Sequence, residues 1–126
     1  MRELTSHKVN GLNEVLRIKV LDEPGQGGAC HVYQIEWEQI DTDGQAKPAL
    51  CRIAFQNGPI QEHGVNGISN EALLAIVEDR LAGFQSGEFA CDENGVALAW
   101  IRKAMALLKL RTRDRIDRGV EGTNQA

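Results

Sequence analysis

The sequence predicts an α+β fold, a small antiparallel sheet of three to four strands followed by a long helical hairpin that mediates oligomerisation. Two patterns predict it. The first half alternates apolar and polar residues between turn signals rich in Gly, Asp and Asn. The second half repeats apolar residues at helical spacing, Leu73, Val77, Leu81 and Phe84, then Leu98, Ile101, Met105, Leu108 and Ile116. Strands followed by helices give a segregated α+β chain. At 126 residues the chain reads as one domain, with the sheet in residues 14–63 and the hairpin in residues 68–123.

Residues 1–13 are polar, contain Asn10-Gly11, and read as a loose lead-in. Glu14–Leu21 alternates as a first strand. Asp22-Glu23-Pro24-Gly25-Gln26-Gly27-Gly28 is a turn, and Ala29–Trp37 is a second strand that follows the first as a hairpin. Cys30, Val32, Gln34 and Glu36 fall on one side of it, and His31, Tyr33, Ile35 and Trp37 on the other. Asp41-Thr42-Asp43-Gly44 is a second turn signal, before a third strand at Leu50–Gln56. Asn57-Gly58-Pro59 ends that strand, and Ile60–Glu62 reads as a short fourth one.

The hairpin begins at Ser69, whose hydroxyl can accept from free amides of the first turn, with Glu71 at the positive end of the dipole. The first helix runs to Gln85 and breaks at Ser86-Gly87-Glu88-Phe89-Ala90. The second runs from about Asp92, expected to cap it, to Arg118, with Gly119 as its stop. At roughly 1.5 Å per residue it is a rod of about 40 Å, longer than so small a globule needs. One end is expected to protrude or to pack on a second chain.

The composition, 42% apolar and 25% charged, is that of an ordinary soluble protein. No apolar run approaches the roughly 20 residues of a membrane span, and the first residues lack the apolar block of a secretion signal. The expectation is therefore the cytoplasm. Charge is unevenly divided. Residues 1–100 hold seven Lys and Arg against fifteen Asp and Glu, whereas residues 101–126 hold seven against three. The long helix should carry an anion-facing patch, while the net charge of −4 argues against a general grip on duplex nucleic acid.

Gly25-Gln26-Gly27-Gly28 lacks the Gly-Lys-Ser/Thr ending of a phosphate loop and joins two strands, so it reads as a hairpin turn. Cys30, His31, Cys51, His63 and Cys91 have no zinc-site spacing, and reduced thiols with no metal are expected. His63 beside Glu62 lacks a partner nucleophile, so no catalytic residue is assigned and no cofactor is expected. Arg111, Arg115 and Arg118 fall at i, i+4 and i+7 on one helical face, with Arg113 and Asp117 as an i, i+4 pair elsewhere. Such a basic face reads either as solvated partners of the helix dipole or as a guanidinium fork for phosphate.

Several stretches together resemble a known family: Ile53-Ala54-Phe55-Gln56-Asn57-Gly58-Pro59-Ile60, Gly64-Val65-Asn66-Gly67, Asn70-Glu71-Ala72-Leu73, Asp79-Arg80-Leu81, and the run Arg111 to Thr123 that closes on Arg118-Gly119-Val120-Glu121-Gly122-Thr123. They are similar to the Thoeris anti-defence 1 family of phage proteins, whose hairpin domain is shared with a phage anti-CBASS cyclic nucleotide sponge. The resemblance covers roughly residues 50–123. It implies a sponge that binds glycosyl-cyclic-ADP-ribose immune signals, and holds them without degrading them, in the cytoplasm of the bacterial host. By motif position it implies Phe84 as the stacking ring, Asn94 as the polar residue where the second helix starts, and Arg111, Arg115 and Asp117 as the arm. It further implies a second site, for cyclic oligonucleotides, near Arg118, Gly122 and Thr123.

Asn94 and Arg111 lie 17 residues apart on one helix, or about 25 Å, so one chain cannot bring both to one small ligand. Two antiparallel chains can. A homodimer, or a larger dimer-based assembly such as a hexamer, is therefore expected. The competing readings are a hydrolase of the signal and a structural or nucleic-acid-associated phage protein.

Overall fold

The computed structural model describes all residues, 1–126. The chain folds as β1 (Arg2–Leu4), α1 (Gly11–Val15), β2 (Arg17–Val20), β3 (Val32–Ile40), β4 (Ala46–Ala54), α2 (Ile60–His63), α3 (Asn70–Gln85) and α4 (Asp92–Asp117). The four strands form one antiparallel sheet in the order β1-β2-β3-β4, and long helices follow. The α+β expectation is therefore met. Contacts divide the chain into two compact units, residues 1–58 with 65–67, and residues 59–64 with 68–126.

In the first unit the register sorts the side chains by face. Leu4, Ile18, Ile35 and Cys51 align across the strands, as do Val20, Tyr33 and Ile53. Tyr33 meets Phe55 edge to face at 5.6 Å, and Val20 is almost wholly buried. The opposite face is a ladder of charge: Arg17 pairs with Glu3 at 2.8 Å, Lys19 with Glu36 at 2.6 Å, and Arg52 donates to Gln34 at 2.9 Å. Opposite charges across neighbouring strands support pairing.

Several sequence expectations are corrected here. The lead-in is ordered, because β1 covers the free edge of β2, and Asn10 is a helix cap rather than a turn, accepting from the Asn13 amide. That short helix takes Glu14 and Val15, so the next strand starts at Arg17. β4 starts at Ala46, four residues earlier than expected, with Pro48 inside it. An edge strand tolerates a proline whose missing N–H faces away from its partner. Ile60–Glu62 is helical instead of extended, opening behind Pro59.

Two turn expectations are met, and β3 is shifted: residues 21–31 join β2 to β3 as a hairpin, so Ala29–His31, expected as strand, belong to the loop and the strand runs Val32–Ile40. Asp22 organises this loop, its carboxylate accepting from the amides of His31 and Val32, and these bonds hold its pKa below the ordinary range. At Asp41–Gly44 the Asp41 carboxylate accepts from the Asp43 and Gln45 amides while Gly44 takes φ +80°. The Gln56-Asn57 and Asn66-Gly67 segments zip together through side chains. Asn66 accepts from the Asn57 amide at 2.8 Å and donates to its carbonyl at 2.7 Å, and its own amide donates to Gln56. Gly67 lies so close to the Phe55 backbone that a Cβ would stand 2.4 Å from it.

In the second unit Ser69 caps α3 as expected, accepting from Ala72 at 3.1 Å. α3 and α4 pack as a hairpin with Leu98 buried, and Leu73, Leu81, Ile101, Met105 and Leu108 half-buried between solvent and core. The expected stripe is only partly right, because Val77, Phe84 and Ile116 remain exposed. The cap of α4 is Cys91 without a side-chain bond, and Asp92 lies in the first turn, where its charge still favours the dipole. Gly119 ends the helix at φ +72°.

Candidate ligand-binding site

The named residues fall at the two ends of the hairpin. At the elbow, Gln85 accepts from the Cys91 amide at 3.0 Å, and a Cβ on Gly95 would meet the Gln85 amide nitrogen at 3.0 Å. α3 and α4 therefore approach closely there. Phe84 stands at this end, 42% exposed, with the Arg80 guanidinium 5.7 Å from its ring centre. Asn94 is half-buried in the first turn of α4. An exposed ring of this kind has a π-face on which a planar group can stack.

The far end is built differently from the open fork that the spacing suggests. Arg115 is buried, and its donors are engaged inside the chain. Its Nε donates to Glu121 at 3.2 Å, one Nη to the Gln125 carbonyl at 2.6 Å, and the other to the carbonyls of Val120 and Thr123 at 2.9 and 3.2 Å. Arg118 donates to Asp114 at 3.0 Å and to the Ala126 carbonyl at 2.8 Å. The i, i+4 ion pair of this last turn is therefore Asp114–Arg118, not Arg113–Asp117. Thr123 donates to the Val120 carbonyl. Gly122, at φ +79°, sits against Ile60 and Gln61, and its carbonyl accepts from the Gln61 amide at 3.4 Å. Arg111 and Asp117 are exposed, with no ion pair.

One end thus holds Phe84 and Asn94. The other holds Arg111, Arg115, Asp117, Arg118, Gly122 and Thr123. The unbroken α4 keeps Asn94 and Arg111 about 25 Å apart along its axis. Between them runs a feature the sequence reading passed over. Val96, Trp100, Leu107 and Leu110 are each more than half exposed. At 100° per residue they fall within about 80° of arc, on the side of α4 opposite Leu98, Met105 and Leu108. The same spacing is present in the sequence, where α4 is apolar on two faces and only the Leu98 face has a partner in the hairpin.

No three of the chain's His, Cys, Asp and Glu residues cluster as a metal site would need, and the three cysteines are free. His63 faces Glu62 at 3.8 Å with both side chains exposed, an ordinary surface pair. No helix is long and apolar enough to cross a membrane.

Residues 47–113 match the family described as Acb2/Tad1, hairpin domain. The chain belongs to this family. Among curated proteins, Thoeris anti-defense 1 of Bacillus phage SBSphiJ7 is 47% identical over 76 residues, which cover 60% of this chain and 54% of the phage protein. The matched part is thus about half the length of that relative. The stretch that carries the Acb2/Tad1 hairpin match opens in β4, includes Phe84, Asn94 and Arg111, and stops before Arg115 and the tail.

Proposed function

We propose that this protein is a phage anti-defence sponge, one that sequesters a cyclic ADP-ribose-type immune signal, glycosyl-cyclic-ADP-ribose, by stoichiometric binding without degrading it. Family membership and the name of the phage relative support an anti-defence role. The observation that carries the site is the second apolar stripe of α4. Val96 and Leu110 are its ends, so its midpoint is residue 103. A second copy packed antiparallel about that midpoint would bury both stripes, with the Lys103 of each chain beside the two-fold and laid over its own Trp100 ring. It would also bring the elbow end of one chain level with the Arg111 end of the other, Asn94 standing on the hairpin side of α4 about 160° from the stripe.

The elbow of one protomer, with Phe84 and Asn94, then shares a ligand with Arg111 of its partner, in two equal pockets. Phe84 stacks on the base and Asn94 hydrogen-bonds the ligand. Arg111, exposed and unpaired, grips a phosphate through charge-assisted bonds. Arg115 acts through the tail it folds, keeping Asp117, Arg118, Gly122 and Thr123 in place for the arm and for a second, cyclic-oligonucleotide site. Dimers could assemble further, to a hexamer, without changing this pocket. The protein works in the host cytoplasm, where the signal is made.

Incubation with a panel of cyclic nucleotides, followed by heating and chromatography of the released small molecules, tests this reading. Intact glycosyl-cyclic-ADP-ribose recovered in amounts stoichiometric with protein is the expected result. A hydrolysed product identifies a hydrolase, and failure to retain any cyclic nucleotide removes the sponge.

A further inference from the structure

We propose that the groove between α3 and α4 lined by Glu78, Arg102, Met105, Ala106, Lys109 and Arg113 is a separate anion site that takes a small diphosphate-bearing molecule. It follows from asking where the seven cations of residues 101–126 are engaged. Arg115 is buried in the tail, and Arg118 is held by Asp114 and the Ala126 carbonyl. Lys103 lies over the Trp100 ring at 5.4 Å, and Arg102 is bonded to Glu78 at 3.0 Å. Lys109, Arg111 and Arg113 have no partner. Arg113 is turned about 200° from Arg111, so these three cannot serve one ligand on one chain.

Arg102, Lys109 and Arg113, at i, i+7 and i+11, share an arc of about 40° on α4. The groove they border encloses about 250 Å³, small beside the roughly 300 to 1,000 Å³ of drug-sized sites. It therefore suits a compact anion. Three cations stand there against one carboxylate. Lys109 and Arg113, one helical turn apart, have Cβ atoms about 5 to 6 Å apart, a spacing that lets two linked phosphoryl groups each take one cation. Met105 and Ala106 supply a floor without competing carboxylates. Glu78 keeps Arg102 at the groove's other end, where its guanidinium can turn onto an entering anion.

Inorganic pyrophosphate is the probe, titrated calorimetrically into the full chain at fixed ionic strength. The expected result is saturable binding of one pyrophosphate per chain. Lys109→Gln with Arg113→Gln, both exposed helix positions, should weaken it at least tenfold. Lys47→Gln with Arg52→Gln, an equal loss of charge on the sheet, should change it less than twofold. Glu78→Gln should tighten binding several-fold by releasing Arg102 and removing the opposing charge. That gain is one a merely structural groove would not show. The proposal is overturned if wild type gives no saturable heat up to millimolar pyrophosphate, if the two double variants lose affinity equally, if Glu78→Gln does not tighten binding, or if Arg111→Ala costs as much as the groove pair.

Discussion

Arg115 and Glu121 form an ion pair at 3.2 Å between the last turn of α4 and the tail that follows it, with the arginine side chain 9% exposed and the glutamate 39%. The pair is one strand of a clamp, since the same guanidinium also bonds three tail carbonyls. Arg115→Ala leaves those carbonyls and the carboxylate without their donor. Hydrogen bonds to charged groups are each worth about 1.5 to 3 kcal/mol, and they are not additive, so a loss of about 3 kcal/mol is expected for the unit containing the hairpin. Arg115→Lys should recover less than half, because an ammonium cannot reach as many acceptors as a planar fork. Chemical denaturation followed by circular dichroism at 222 nm measures both. An Arg115→Ala protein as stable as wild type would show that the tail is held by something else.

The clamp also marks where sequence reading stopped being sufficient. Helical periodicity, Ser69 and Gly119 were enough to place the hairpin, because each signal is local and has one cause. Spacing likewise put Arg111, Arg115 and Arg118 on one side of a helix. It could not reveal that the chain after Gly119 turns back and engulfs the middle one, since that depends on φ above zero at Gly119 and Gly122 and on acceptors several residues away. Ile60–Glu62 misled for a similar reason. Three residues carry no period, and Pro59, read as ending a strand, also opens a helix. As site residues Phe84 and Asn94 follow only from the family resemblance, because spacing puts Phe84 in the apolar stripe of the first helix and gives Asn94 no role.

Trp100 lies in the exposed stripe of α4, three residues from its midpoint and 63% exposed, with Val96 and Leu107 on either side. Trp100→Glu should convert a dimer into monomers, since it would place a charge in an apolar interface from both chains at once. Sedimentation velocity at micromolar concentration reads this directly, with wild type expected at twice the 13.9 kDa chain mass or more. The fold should survive, because the residue is not in the hairpin core. A wild-type protein that sediments as a monomer would require a site formed within one chain.

Acid should weaken the sheet unit. Arg17 holds Glu3 below the ordinary carboxylate range through a hydrogen bond and its charge, and Lys19 does the same for Glu36. Asp22 and Asp41 are lowered chiefly by backbone amides. A carboxyl whose pKa is lower folded than unfolded binds more protons when unfolded. Its contribution is complete above the unfolded value, about 4, and drains as pH falls through that value to the lowered one. Melting followed at the Trp37 and Tyr33 signals should therefore be flat from pH 7 to 5 and fall below about pH 4. Glu36→Gln should flatten the drop. A melting temperature that stays constant down to pH 3 would show that these pairs contribute nothing to folding.

Binding of the cyclic signal should depend on Arg111 and Phe84 together. Loss of charge-assisted bonds worth about 1.5 to 3 kcal/mol makes Arg111→Ala roughly ten- to a hundredfold weaker. Phe84→Leu keeps an apolar side chain but removes the π-face, and base stacking is worth about 1 to 3 kcal/mol, so a loss of at least fivefold is expected. The two residues lie at opposite ends of α4. Mixed dimers supply the sharper measurement. Arg111→Ala and Phe84→Leu chains combined one to one should give mixed dimers as about half of all dimers by random pairing, each with one intact and one doubly damaged pocket, restoring roughly a quarter of the wild-type capacity at near wild-type affinity. A pocket built within one chain would leave both copies defective in the mixture. A diffuse basic surface would instead respond alike to Arg111, Lys109 and Arg113, barely to Phe84, and would lose affinity steeply with salt. Titration calorimetry of the mixed dimer, run at two salt concentrations, separates the three cases.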